Sequence, residues 1–118
     1  MDLDKFQQIN AERGKRWHNS DLSQWFLLEW SGAMCGEAGE AANIAKKIKR
    51  IEIKLPNKEA GLEITGLDGL KLKLAMEVAD TIIYGLLIMS LLDVEASSII
   101  KLVFDKKSKE YGFPERAE

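Results

Sequence analysis

Four carboxylates stand where carboxylates are costly to bury. Glu37 and Glu40 lie in the segment GAMCGEAGEAANIA, and Glu77 and Asp80 lie in LAMEVADTIIYGLLIM. Each pair is spaced i, i+3, which places its two side chains about 60° apart on one side of a helix, one turn from each other. From Leu74 onward the second segment is apolar on nearly every other face, so its helix is expected to be buried. An unpartnered buried carboxylate costs roughly several kcal/mol. Lys73, four residues before Glu77, offers one positive charge for four acids. The expected counter-charge is Mg²⁺, with Mn²⁺ as a substitute, because hard oxygen ligands and retained waters suit these ions. A lone E-x-x-E is commonly a solvated face; two such pairs in hydrophobic helices make the metal reading the stronger one. Histidine-dependent centres are excluded by composition, since His18 is the only histidine and Cys35 the only cysteine.

The elements that must position these groups read as helices. One is expected over 3–16, with Phe6, Ile9 and Arg13 at helical spacing, followed by a turn at 18–21 in which Ser20 or Asp21 caps the next. The second runs over about 22–50 and carries Glu37 and Glu40. Gly32, Gly36 and Gly39 weaken it by roughly 1 kcal/mol each and suggest either close helix packing or room beside the acids. The third, over about 68–92, carries Glu77 and Asp80. The fourth starts at Asp93 as its cap and runs to about 111, before Gly112 and Pro114. Between the second and third, Ile51, Ile53 and Leu55 alternate with charged residues. Pro56-Asn57 marks a turn and Leu62 and Ile64 return, so a small hairpin or lid is expected at about 51–66.

The chain's 118 residues suit a single domain over 1–118, with an ordinary 46% hydrophobic and 31% charged content. Seventeen basic and nineteen acidic residues give a net charge of −2, a poor footprint for nucleic-acid binding. The longest continuous apolar run, 81–92, is too short to cross a bilayer, and the first residues lack a signal-like apolar core. A cytoplasmic protein with no nucleic-acid or membrane partner is therefore the expectation.

The segment GEAGEAANIAKKIKR, followed by EVADTIIY, resembles the E-x-x-E and E-x-x-D signature of the MazG-like all-α nucleoside triphosphate pyrophosphohydrolases. Arg16-Trp17-His18 is similar to an aromatic segment of the dCTP pyrophosphatase branch. Phe104-Asp105-Lys106-Lys107-Ser108, then Tyr111-Gly112-Phe113-Pro114, resembles the family's closing F-N-x-x-S segment before a glycine. Asp105 stands where many relatives carry Asn, and the spacer between Glu40 and Glu77 is longer than usual. The resemblance implies a four-helix MazG-like bundle completed by dimerisation, as a homodimer or homotetramer. It also implies Mg²⁺-dependent hydrolysis of a (deoxy)nucleoside triphosphate to the monophosphate and pyrophosphate.

On that reading Glu37, Glu40, Glu77 and Asp80 are the catalytic metal ligands, one of them orienting or deprotonating the attacking water. Lys47 lies about 20° from Glu40 on the second helix. It is the first candidate for the phosphates, with Lys73 the second. Trp17 and His18 are candidates for stacking on and bonding the base, and Asp105 and Ser108 for further substrate contacts. Glu29 is read as an ion-pair or supporting group, Trp25 and Trp30 as packing residues, and Cys35 as a packed small side chain. Two alternatives remain: a phosphoribosyl-ATP pyrophosphohydrolase-like enzyme, and a non-catalytic helical oligomeric adaptor.

Overall fold

The computed structural model describes residues 1–18, 27–55 and 62–118, with side chains for all of these but 62–65. It is all-α: the described residues form helices α1 (Leu3–Trp17), α2 (Leu27–Glu52), α3 (Leu62–Leu91) and α4 (Ala96–Tyr111), and no strand. The expected caps at Ser20 or Asp21 and the packing of Trp25 lie outside the described residues. Two compact units are formed, Met1–Leu27 with Leu86–Glu118, and Leu28–Gly85.

In the first unit, α1 begins where the Asp2 carboxylate accepts the backbone N–H groups of Asp4 and Lys5 at 3.0 and 3.1 Å, satisfying donors that the helix leaves open. The helix forms as the spacing of Phe6, Ile9 and Arg13 suggests, and the stripe it buries is Gln7, Asn10 and Gly14, with Ile9 and Arg13 exposed. Gln7 accounts for that stripe. Its Oε1 accepts the N–H of fully buried Ala96 at 2.8 Å, and its Nε2 donates to the Val94 carbonyl at 2.9 Å. Glu95, the N-cap of α4, makes no side-chain capping bond, so a side chain from α1 supplies the cap instead. Gln7→Ala leaves a buried N–H without its partner and is expected to cost about 1–3 kcal/mol. The check is a lowered melting temperature with helix content retained below the transition.

Three helices end alike. Lys54, Asp93 and Gly112 take left-handed φ values of 59°, 55° and 73° after α2, α3 and α4. The following residue then donates back five positions: Leu55 to Arg50 at 2.7 Å, Val94 to Met89 at 3.0 Å, and Phe113 to Ser108 at 2.8 Å. This is the Schellman arrangement, which satisfies carbonyls that the helix end exposes. Asp93 therefore closes α3 and does not cap α4, contrary to its sequence reading.

In the second unit, the alternation at 51–55 gives way to helix. Ile51 extends the i, i+4, i+7 stripe begun by Ile44 and Ile48, and that stripe packs on Leu67, Leu70 and Leu74 of α3. Burying one more isoleucine on this stripe outweighs a two-residue alternation that has no partner strand. Leu62 and Ile64 likewise belong to α3, so the described parts of 51–66 hold no hairpin; residues 56–61 lie outside the description. Gly66, at φ 68° and ψ −179°, interrupts α3 in a conformation nearly confined to glycine, and the regular helix follows it, close to the expected start at 68.

The expectation that α3 is buried all round is not met within the chain. Leu72, Met76, Val78 and Ile82 are all exposed. Taking 100° per residue, they span a sector of about 160° that adjoins the Leu67–Leu70–Leu74 side and continues around the helix. Gly66–Leu91 is also long and apolar enough to cross a membrane by length and composition, a stretch wider than the 81–92 run suggested.

Candidate metal centre

The pairings along α2 and α3 run in opposite directions. Trp30 faces Tyr84 with ring centroids 6.0 Å apart, Glu37 and Glu40 face Glu77, and Ile48 faces Leu70. On α2, Glu37, Glu40, Ile44, Ile48 and Ile51 fall within about 80° of one another, so acids and isoleucines share one stripe. On α3, Glu77 follows Leu70 and Leu74 at helical spacing. The same helix–helix seam is thus aliphatic at one end, aromatic at the other and acidic between.

Within that acidic layer, one oxygen from each of Glu37, Glu40 and Glu77 lies within 4.8 Å of the others. Glu37 and Glu77 are half-buried and Glu40 is exposed. Glu77 Oε2 is sealed from solvent and has no hydrogen-bond donor among the described residues. The Glu77 carboxyl is accordingly pushed up to about 7. Hydrogen bonding to Glu37 is the largest cause, followed by desolvation, hydrogen bonding to Glu40 and repulsion from both neighbours. A carboxyl–carboxylate hydrogen bond requires a proton, which the raised Glu77 carboxyl retains toward neutral pH. The Thr81 hydroxyl donates to the Glu77 carbonyl at 2.9 Å, tying the backbone turn beneath this side chain.

The donor set fits a hard divalent cation. It is all oxygen, its members lie close enough to share one ion, and its sealed oxygen lacks any other partner among the described residues. Asp80 sits one turn past Glu77 and is exposed; its carboxylate is not among the three that converge. Lys47 is half-buried and Lys73 exposed, both in the same unit as the acids.

The remaining candidates belong to the first unit. Trp17 is the last residue of α1 rather than a loop residue; it is exposed, with the Arg13 guanidinium 5.3 Å from its ring centroid. His18 is the half-buried C-cap, its backbone N–H on the Lys15 carbonyl. Asp105 is held by Lys101 Nζ at 2.7 Å and by the Ala117 N–H at 2.7 Å, which keep its carboxyl below the ordinary range. Ser108 is buried. Asp105 lines a groove along α4, while Ser108 lies beneath the helix surface.

Cys35 is exposed rather than packed. Glu29 is exposed in the first turn of α2, a position compatible with the ion-pair role read for it. A Cβ at Gly32, Gly36 or Gly39 would meet no atom of the described residues within 4 Å, so close packing against the described helices is not what these glycines serve. Sequence reasoning missed Tyr84, which with Trp30 closes the aromatic end of the acidic layer. Its signal was present: Tyr84 is seven residues past Glu77 and four past Asp80, on the same side of α3. Comparison with protein-family models, curated proteins and solved structures finds no match for this chain.

Proposed function

We propose that the protein is a Mg²⁺-dependent nucleoside triphosphate pyrophosphohydrolase, releasing the monophosphate and pyrophosphate. The observation that carries it is the acidic layer between α2 and α3, with a sealed Glu77 oxygen that no donor among the described residues satisfies. The MazG-like motif pattern supplies the choice of reaction. Bound Mg²⁺ would supply neutralisation of the triphosphate and acidification of a water. Glu37, Glu40 and Glu77 would hold it, with Asp80 one turn on as the fourth carboxylate.

Glu40 is the exposed member of the three and so the one best placed to accept a hydrogen bond from an attacking water. Lys47, on the stripe of Glu37 and Glu40, and Lys73, four residues before Glu77, take the phosphates in this reading. Trp17, with its exposed indole, and His18 stay the candidates that the motif resemblance gives for a base. The exposed apolar sector of α3 supports assembly as a homodimer or homotetramer, with the bundle completed by a second copy. That same sector also suits a non-catalytic adaptor, which predicts no response to metal.

The test is pyrophosphate release from a panel of NTPs, dNTPs and phosphoribosyl-ATP, in Mg²⁺ and in EDTA, with Glu40→Ala alongside. Mg²⁺-dependent release that is lost in the variant is the expected outcome, and the panel ranks the substrates. No turnover, together with a melting temperature indifferent to Mg²⁺, would leave the adaptor as the better account.

A further inference from the structure

A different surface of the first unit carries charge of the opposite sign. One side of α4, from Ser98 to Lys109, and Arg116 of the following tail line a groove of about 480 Å³. Lys101, Lys106, Lys109 and Arg116 stand around it against a single carboxylate among the described residues, Asp105, in a chain whose net charge is −2.

The tail makes the groove. Left-handed Gly112 starts the reversal, and the Phe113 N–H on the Ser108 carbonyl completes it. Asp105 then accepts the Ala117 N–H, while Lys101 donates to both Asp105 and the Ala117 carbonyl. Arg116 donates to the carbonyls of Phe113 and Glu115 at 2.8 and 2.7 Å, which holds its guanidinium at the rim.

These bonds settle the local charge balance. Among the described residues, the one carboxylate lining the groove is matched by Lys101 at 2.7 Å. Lys106 reaches Glu110 only at 3.9 Å, an exposed pairing of little strength. Lys106, Lys109 and Arg116 therefore surround the groove beyond the matched pair. Exposed Leu102 and the methylene stems of the lysines give it an apolar floor. Its volume falls in the range of small-molecule sites.

We propose that this groove binds a di- or triphosphate anion, with the phosphates among Lys106, Lys109 and Arg116 and any attached apolar body on Leu102. The site does not depend on the hydrolase reading. Without metal, the carboxylates of Glu37, Glu40 and Glu77 repel such an anion, so binding in EDTA reports on the groove.

The experiment is calorimetric titration of the full chain in EDTA with inorganic pyrophosphate and, separately, with ADP. Amide chemical shifts locate the site. Binding that weakens with salt, shifts confined to residues 98–116, and a loss of about tenfold in Lys109→Glu are expected. Lys109→Arg should restore affinity, and circular dichroism should show unchanged helix content in both variants. Tighter binding of ADP than of pyrophosphate would assign the site to nucleoside phosphates; equal binding would assign it to inorganic ones. Binding retained in Glu40→Ala while turnover is lost would separate this site from the acidic layer. No binding of either anion, or full affinity in Lys109→Glu, overturns the proposal.

Discussion

Glu77→Gln is expected to abolish turnover and, in the absence of metal, to make the protein more stable than the wild type above neutral pH. Loss of groups that merely support a metal ligand costs about 10–100-fold, so loss of the ligand should cost at least about 100-fold in activity. The stability effect has the opposite sign because the native side chain is strained by its neighbours. Glu77 titrates at about 7 in the folded protein against 4.5 ordinarily. A carboxyl whose folded value is raised favours folding fully below the unfolded value and loses that contribution as pH rises through the folded one. In EDTA the wild type should therefore lose stability between about pH 4.5 and 7, relative to Glu77→Gln, which lacks the shifted carboxyl. Mg²⁺ should reverse the loss in the wild type alone, and its affinity should rise across the same window as the Glu77 proton is displaced. Melting curves of both proteins across this range decide the matter. Parallel pH profiles with no Mg²⁺ effect would remove the acidic layer as a metal centre.

Ile82→Glu is expected to dissociate the assembled protein without unfolding the chain. Ile82 and Val78 lie about 40° apart on one side of the exposed apolar sector of α3, with Leu72 and Met76 completing it. Four large apolar side chains open to water on one helix are more than scattered surface residues, and a second copy is the cover proposed for them. An unpaired carboxylate placed under that cover costs several kcal/mol, enough to raise a dissociation constant by more than about 100-fold. Within the isolated chain the same side chain stays in solvent, so helix content should be unchanged. Light scattering after size-exclusion chromatography gives the result directly: an oligomeric wild type and a monomeric variant. A wild type that is monomeric at high concentration would sink the idea.

Much of the local structure was legible in residue order, because its causes act over a few positions. Asp2 ahead of α1, Gly112 past α4, and the spacing of Ile44 and Ile48 all report helices through bonds or contacts within one or two turns. The ends of α2 and α3 were harder to read, since Lys54 and Asp93 take the left-handed position that glycine would have announced. The strand-like alternation at 51–55 misled for a related reason: two periodicities overlap there, and only the presence of Leu67, Leu70 and Leu74 across the seam decides between them.

The acidic pairs themselves followed from the sequence by itself, as i, i+3 carboxylates in apolar helices. Which of them meet was decided by tertiary structure. The antiparallel register of α2 on α3, set by isoleucine against leucine at one end and Trp30 against Tyr84 at the other, brings Glu77 to Glu37 and Glu40 and leaves Asp80 in solvent. The buried side of α1 was likewise a tertiary choice. Nothing near Gln7 in the chain reveals that the open N–H of Ala96, 89 residues away, needs its amide. Helical period places side chains on faces, but only packing between helices determines which face is covered and which charges must share a proton or a cation.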